Sequence, residues 1–224
     1  MSIQEAYKRF LLKINKNDTD NEIRISTAEF VYMFNEMSLV WLGEKINGKA
    51  GTDSINDIQE LLVEELELSN FNEAKGHNDF LLPEDFQHFS SAIALAERNG
   101  CEKELEVYNI KPKEKNTWLK DDMNNPSFDW EETISIISGD RIQVYKSDFD
   151  VTGLNLSYYR KPRVVDIEGY KHIDGKTLST NIDPDLSNSN VNEIINRCAL
   201  EVAVNYKNGE TFQLDQQRIL TEKK

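Results

Sequence analysis

Cysteine, histidine and proline are scarce in this chain, long apolar runs are absent, and positive charge is the minority sign. Its two cysteines, Cys101 and Cys198, lie far apart in unrelated contexts and make neither a disulfide framework nor a zinc motif. No apolar run approaches the roughly 20 residues that cross a bilayer. The opening Met1-Ser2-Ile3-Gln4-Glu5 reads as the start of an amphipathic helix, and no signal peptide is expected. The expectation is a protein kept in a reducing compartment, with no membrane. Acidic residues outnumber basic ones 40 to 26, for a net charge of −14. Such a surface repels nucleic-acid phosphates. It serves solubility, or a wall past which DNA slides without sticking. The phosphate-binding patterns G-x-x-x-x-G-K-[ST] and G-x-G-x-x-G and the nucleophile elbow G-x-S-x-G are absent. Ser, Cys and His are too scattered to pair a nucleophile with a base. No catalytic residue, cofactor or metal is expected, and the chain is read as not an enzyme.

What is there is a modest core inside much surface. Of 224 residues, 38% are hydrophobic and 29% charged, which fits one large or two small domains. Some segments are expected to be completed by neighbouring copies.

Ser2 with Glu5 opens a first helix carrying Ala6, Phe10 and Ile14. Ser26 with Glu29 opens a second, which runs to about Ile46 before Asn47-Gly48. Its Phe30, Phe34, Met37 and Trp41, widened by Val31, Met33, Val40 and Leu42, predict a helix apolar on most of its circumference and central to a bundle. Ser54 with Asp57 predicts a third helix, with Ile55, Ile58, Leu61, Leu62 and Leu66 on one side and glutamates on the other.

Residues 70–79 read as loop, Gln87–Arg98 as a strand, Asn99-Gly100 as a hairpin turn, and Leu105–Tyr108 as its return. Lys111–Pro126 reads as a protruding loop with a short helical turn. Thr133–Ser138 and Ile142–Tyr145 flank a turn at Gly139-Asp140. Leu154, Leu156 and Tyr158 alternate with polar residues as in a half-buried strand, and Pro162 suggests an edge. Val164–Ile167 suggests a last short strand. Asn190 with Glu193 caps a final helix to Tyr206 bearing Val191, Ile194, Ile195, Cys198 and Val202. The tail Glu210–Lys224, with Phe212, reads as an arm.

His77, Asp79, Glu84, Asp85 and His88 are the densest set of potential metal ligands, but their spacing matches no zinc signature and Pro83 interrupts it. A metal-dependent hydrolase on His77, Asp79 and His88 is therefore the rival from another class; a small-ligand binding module is a third reading. The pairs Asp148/Asp150 and Asp183/Asp185 belong to no calcium loop. Tyr158-Tyr159-Arg160-Lys161 pairs aromatics with basic residues in a way that suits stacking on nucleic acid, but on so acidic a chain an edge strand gripping an acidic partner surface is the favoured reading.

The stretch Leu154–Tyr170, including Leu154-Asn155-Leu156-Ser157-Tyr158-Tyr159-Arg160-Lys161-Pro162, resembles one common in virion proteins of crAss-like phages. So do Ile182-Asp183-Pro184-Asp185-Leu186, Val191-Asn192-Glu193-Ile194-Ile195, Leu82-Pro83-Glu84-Asp85-Phe86 and the helix bearing Phe34-Asn35-Glu36. The resemblance runs from about Ser26 to Tyr206. It implies a neck component of a short-tailed phage, an adaptor or tail-tube gatekeeper subunit. Such a protein forms a closed, twelve-fold ring of its own copies between the portal protein and other neck or tail rings. It lets genomic DNA pass without specific binding.

The expectation is thus an α+β fold with N-terminal and C-terminal helices forming a bundle around an inserted antiparallel β-domain. Its parts are 1–78, 79–169 and 170–224. The expected role is a head–tail connector in the virion neck, assembled in the host cytoplasm; the structural alternative is a capsid-associated or other tail protein. The expected contact residues are Tyr158, Tyr159, Arg160, Lys161, Arg163 and Phe212.

Overall fold

The computed structural model describes residues 1–15, 23–48, 56–121, 123–172 and 175–206. They form two compact units, one from residues 1–60 with 162–224 and the other from 61–161.

The first unit holds α1 (Ile3–Ile14), α2 (Thr27–Ile46) and the last long helix (Asn188–Tyr206). Local chemistry sets their starts. Ser2 Oγ accepts from the Glu5 amide at 3.2 Å. At α2 the capping box is complete: Ser26 Oγ accepts from the Glu29 amide at 3.2 Å, and the Glu29 carboxylate takes the Ser26 amide at 2.8 Å. Phe10, Phe30 and Phe34 stack through centroid distances of 5.0 and 5.7 Å. The last helix starts earlier than the Asn190 cap implies. Ser187 takes the capping position, its Oγ accepting from the Asn190 amide at 3.3 Å, and the Asn190 side chain donates to Asp57 O and Glu60 Oε1.

The second unit is a curled, eight-stranded mixed sheet. Its strands are β1 (Leu62–Leu68), β2 (Phe71–Ala74), β3 (His77–Leu81), β4 (Phe86–Arg98), β5 (Cys101–Asn109), β6 (Glu132–Ser138), β7 (Arg141–Tyr145) and β8 (Asp150–Arg160), in the spatial order β1-β8-β4-β5-β6-β7-β3-β2. Between β5 and β6 lies the short helix α3 (Lys115–Trp118); the Asn188–Tyr206 helix is α4.

This corrects the expected fold class. The dominant element is the mixed sheet, accompanied by four helices; it is not a bundle of terminal helices with an antiparallel insert. Two physical causes account for the difference. The third expected helix is a 3-10 turn (Asn56–Leu61) that runs straight into β1. A bulge between Val63 and Leu66, with Glu65 at φ 52°, breaks the two-residue alternation and leaves leucines at helix-like spacing. The sheet is mixed because β5 and β6 pair in parallel, Glu106 opposite Glu132 and Tyr108 opposite Ile134, through the crossover that parallel strands require. Residues 70–79, read as loop, form the β2–β3 hairpin. Val164–Ile167 makes only an isolated bridge, Asp166 with Ile182.

One sheet face carries the main core, including Phe80, Ala94, Leu105, Ile142, Leu154 and Leu156. On the other, Ile134, Ile136 and Tyr145 pack with Ile110 under Trp118 and Leu119 of the crossover. Leu105 and Val107 point into the main core, so Glu104, Glu106 and Tyr108 point to the opposite face, where all three are exposed.

Candidate functional site

The expected contact strand is not an edge. β8 lies between β1 and β4 and pairs with both. Pro162 follows its last residue, so the missing amide falls outside the ladder. Tyr158 and Tyr159 are buried at 3% and 7% exposure. Tyr158 packs against Phe86 and donates to Asp85 Oδ1 at 2.8 Å; burial, reinforced by that carboxylate, pushes its phenol up to about 12. These two rings are core, and the role of exposed contact residue is withdrawn for both. Arg160 is half-buried, its Nη1 donating to Lys161 O at 3.3 Å. Lys161 is exposed but tied to the β3–β4 turn, its amide to Asp85 O at 2.7 Å and its Nζ to Glu84 O at 3.1 Å. Arg163 is exposed, and its amide donates to Asp185 Oδ1 at 3.1 Å. Phe212 and the whole Glu210–Lys224 arm lie outside the described residues.

The residues of the rival metal-site reading do not converge. His77 Nε2 sits 3.4 Å from Asp79 Oδ1 on β3, with Arg141 Nη1 at 3.8 Å from the same carboxylate. His88 is on β4, with β5, β6 and β7 between it and β3 in the sheet. The acidic pairs serve structure: Asp148 binds Arg98 and Asp150 binds Lys146, while Asp183 accepts from the Ile3 amide. Among the described residues, no three His, Cys, Asp or Glu side chains gather in a group that could hold a metal ion. Among the same residues, no helix is long and apolar enough to cross a membrane.

Three polar assemblies brace the first unit. The Asn35 amide clasps the backbone of Val165, donating to its carbonyl at 3.0 Å and accepting from its amide at 2.9 Å. Asp166, 5% exposed, takes the Tyr170 hydroxyl at 2.6 Å and the Ile167 and Thr180 amides at 2.9 Å each, with His172 Nε2 at 3.2 Å. Burial alone would raise the Asp166 carboxyl, but these donors hold it below its ordinary range, and burial together with Asp166 drives the Tyr170 phenol upward. Lys45, 6% exposed, binds Asp57 at 2.7 Å and Glu193 at 3.2 Å; Arg197 joins Glu193 to Glu44. Burial opposes both charges here. The two carboxylates nevertheless raise Lys45, and Trp41, Arg197 and Lys45 lower Glu193. The buried Trp41 indole nitrogen makes no hydrogen bond of good geometry, so it acts on Glu193 only as a nearby dipole.

Two features remain that bracing does not explain. α2 buries Phe30, Val31, Phe34, Trp41 and Leu42 on one side, as its stripe requires. On the opposite side Tyr32, Leu39 and Val40 are 40%, 49% and 45% exposed. Their spacing, closed by Gly43, puts them on one stripe. The helix is therefore not central to a bundle: Tyr32, Leu39 and Val40 face outward, around exposed Glu36 on the same side. The second feature is Trp130, 79% exposed at the end of the β5–β6 crossover. Sequence reasoning missed both. The signals were an apolar set too wide for one buried face, and a tryptophan set in the acidic run Asp129-Trp130-Glu131-Glu132.

No protein-family model matches the chain, and no curated protein matches it.

Proposed function

We propose that this protein is a structural subunit that assembles with copies of itself, as a head–tail connector ring in a phage virion. The observation that carries the assembly reading is the outward face of α2. Tyr32, Leu39 and Val40 stand half-exposed opposite the buried Phe30–Phe34–Trp41 face, around exposed Glu36, and offer apolar surface that a second subunit would cover. Covering the remaining surface of these side chains is worth about 1 kcal/mol apiece, enough to contribute to a subunit contact. The virion neck, the portal as neighbour and the passage of DNA rest on the resemblance of Leu154–Tyr170, Ile182–Leu186 and the Asn35-Glu36 helix. The net charge of −14 is compatible with DNA moving past without binding.

Native mass spectrometry of the purified chain, with electron microscopy of the same sample, tests this. A closed ring of about twelve copies is expected on the resemblance, and Leu39→Glu on α2 should shift it toward monomer while leaving the fold intact. A wild-type chain that stays monomeric at every concentration refutes the assembly reading. A closed assembly that fails to bind portal rings, while binding capsid or other tail parts, favours the capsid-associated or tail alternative.

A further inference from the structure

The two edges of the sheet come together. β1 stands at one end of the spatial order and β2 at the other, yet only Ser69 and Asn70 separate them in the chain. Laid flat, eight strands about 4.8 Å apart would hold these edges about 34 Å from each other. Three Cα–Cα steps of about 3.8 Å keep Leu68 and Phe71 within about 11 Å. The sheet is therefore curled until its edges meet at this corner, across a seam. Two strand spacings are about 9.6 Å, so the corner leaves room for no more than one further strand. Among the described residues, no backbone hydrogen bond joins β1 to β2, and the outer side of neither strand finds a backbone partner.

The core is open at the same place. Pairing with Tyr158, Leu156 and Leu154 turns Val63, Leu66 and Leu68 of β1 to the core face, but all three are only partly buried. On β2, Phe71 lies opposite the core residue Phe80, their ring centroids 5.4 Å apart, and is 37% exposed. Unpaired backbone and half-covered core side chains thus coincide on one seam. An added strand answers both, with hydrogen bonds along the edge and alternate side chains for the core.

The β1 edge also narrows the choice of strand. Glu64, Glu65 and Glu67, with the bulge at Glu65, disfavour pairing with another β1, because like charges directly opposite destabilise and a bulge breaks the ladder. The strand that fits has apolar residues two apart, polar residues between them and no run of carboxylates. Residues 207–224, outside the described residues, contain one: 211–215 reads Thr-Phe-Gln-Leu-Asp, which puts Phe212 and Leu214 on one face of a strand period. In that tail Lys207, Arg218, Lys223 and Lys224 outnumber Glu210, Asp215 and Glu222, although the whole chain is acidic.

We infer that residues 211–215 of one copy add as a strand to the β1 edge of a second copy, in the β1–β2 seam, with Phe212 and Leu214 turned to its open core. Each copy offers one such stretch and one seam. The two are different surfaces, so the contact is heterologous and can propagate around a closed ring. The inference rests on the self-assembly reading and adds how the copies are joined.

Sedimentation velocity, native mass spectrometry and hydrogen exchange on the full chain test it. Phe212→Asp combined with Leu214→Asp is expected to weaken self-association at least about tenfold and to speed exchange of the β1 amides, with the central strands as protected as before. A synthetic peptide of residues 207–220 should bind this double variant at one peptide per copy and return the β1 protection. In the wild type, an excess of the same peptide, added before the protein is concentrated, should hold back assembly; assembly at full size in its presence overturns the inference without any variant. Undiminished assembly of the double variant overturns it too and leaves the self-assembly reading standing. So does weakened assembly with β1 exchange unchanged, which puts the stretch elsewhere on the neighbour, and faster β1 exchange with assembly unchanged, which puts the strand on its own copy. A wild-type chain that is monomeric at every concentration fails both readings together.

Discussion

Asn35 sits in the middle of α2 and holds Val165, 130 residues away, by two hydrogen bonds. Val165 is 1% exposed, so water cannot replace those bonds. Asn35→Ala removes both and leaves a buried amide and a buried carbonyl unpaired. Each lost bond contributes about 1 kcal/mol net, and each orphaned group adds a desolvation penalty of about 1–3 kcal/mol when relaxation does not rescue it. The expected loss is about 2–4 kcal/mol, a large share of a typical domain's stability. With a urea slope of about 2 kcal/mol/M, the midpoint should fall by about 1–2 M.

Asn35→Asp separates the two bonds. The new carboxylate still accepts from the Val165 amide, but its second oxygen faces the Val165 carbonyl at the 3.0 Å now spanned by a donor. That repulsion raises the new carboxyl's pKa in the folded state above its unfolded value. A raised acid costs stability at high pH and returns it as pH falls through the folded pKa, because the protonated oxygen donates again. Urea titrations at several pH values, followed by fluorescence and circular dichroism, read this directly. The Asn35→Asp deficit should shrink toward acid relative to Asn35→Ala. An Asn35→Ala cost under about 1 kcal/mol, or a constant difference between the two variants across pH, refutes the clasp as a source of stability.

Asp166 gives the opposite pH sign. Its folded pKa is held below the unfolded value, so its contribution is present above the ordinary carboxylate range and lost as pH falls through the folded pKa. Asp166→Asn should cost about 2–3 kcal/mol at neutral pH and flatten that part of the acid-unfolding curve; an unchanged acid limb in calorimetry refutes the assignment. Lys45→Met leaves Glu193 with Arg197 but without its second cation. Because the Asp57 and Glu193 side chains are 48% and 30% exposed, the loss should be about 1–2 kcal/mol and not the larger figure of a fully buried pair; chemical denaturation checks it. Ser26→Ala removes the complete capping box of α2 and should cost about 1 kcal/mol, read as a lowered thermal midpoint.

What the sequence determined by itself was local. The Ser26–Glu29 box, the Asn99-Gly100 turn with both residues at positive φ, the Gly139-Asp140 turn and the alternation of β8 are set by neighbours within a few positions. Those elements are therefore legible in the order of residues alone. The tertiary structure decided what depends on distant partners. Pairing of β8 with β1 and β4 turned the expected contact tyrosines, Tyr158 and Tyr159, into core. One bulge at Glu65 made β1 read as a helix in the sequence, because a single inserted residue shifts the apolar spacing out of the strand period. The parallel β5–β6 pairing has no local signature, since its register is fixed by strands joined through a long crossover. The same holds for the face of α2 proposed for assembly. In the sequence Tyr32, Leu39 and Val40 are ordinary apolar residues; only packing, which covers one side of α2, left them facing outward.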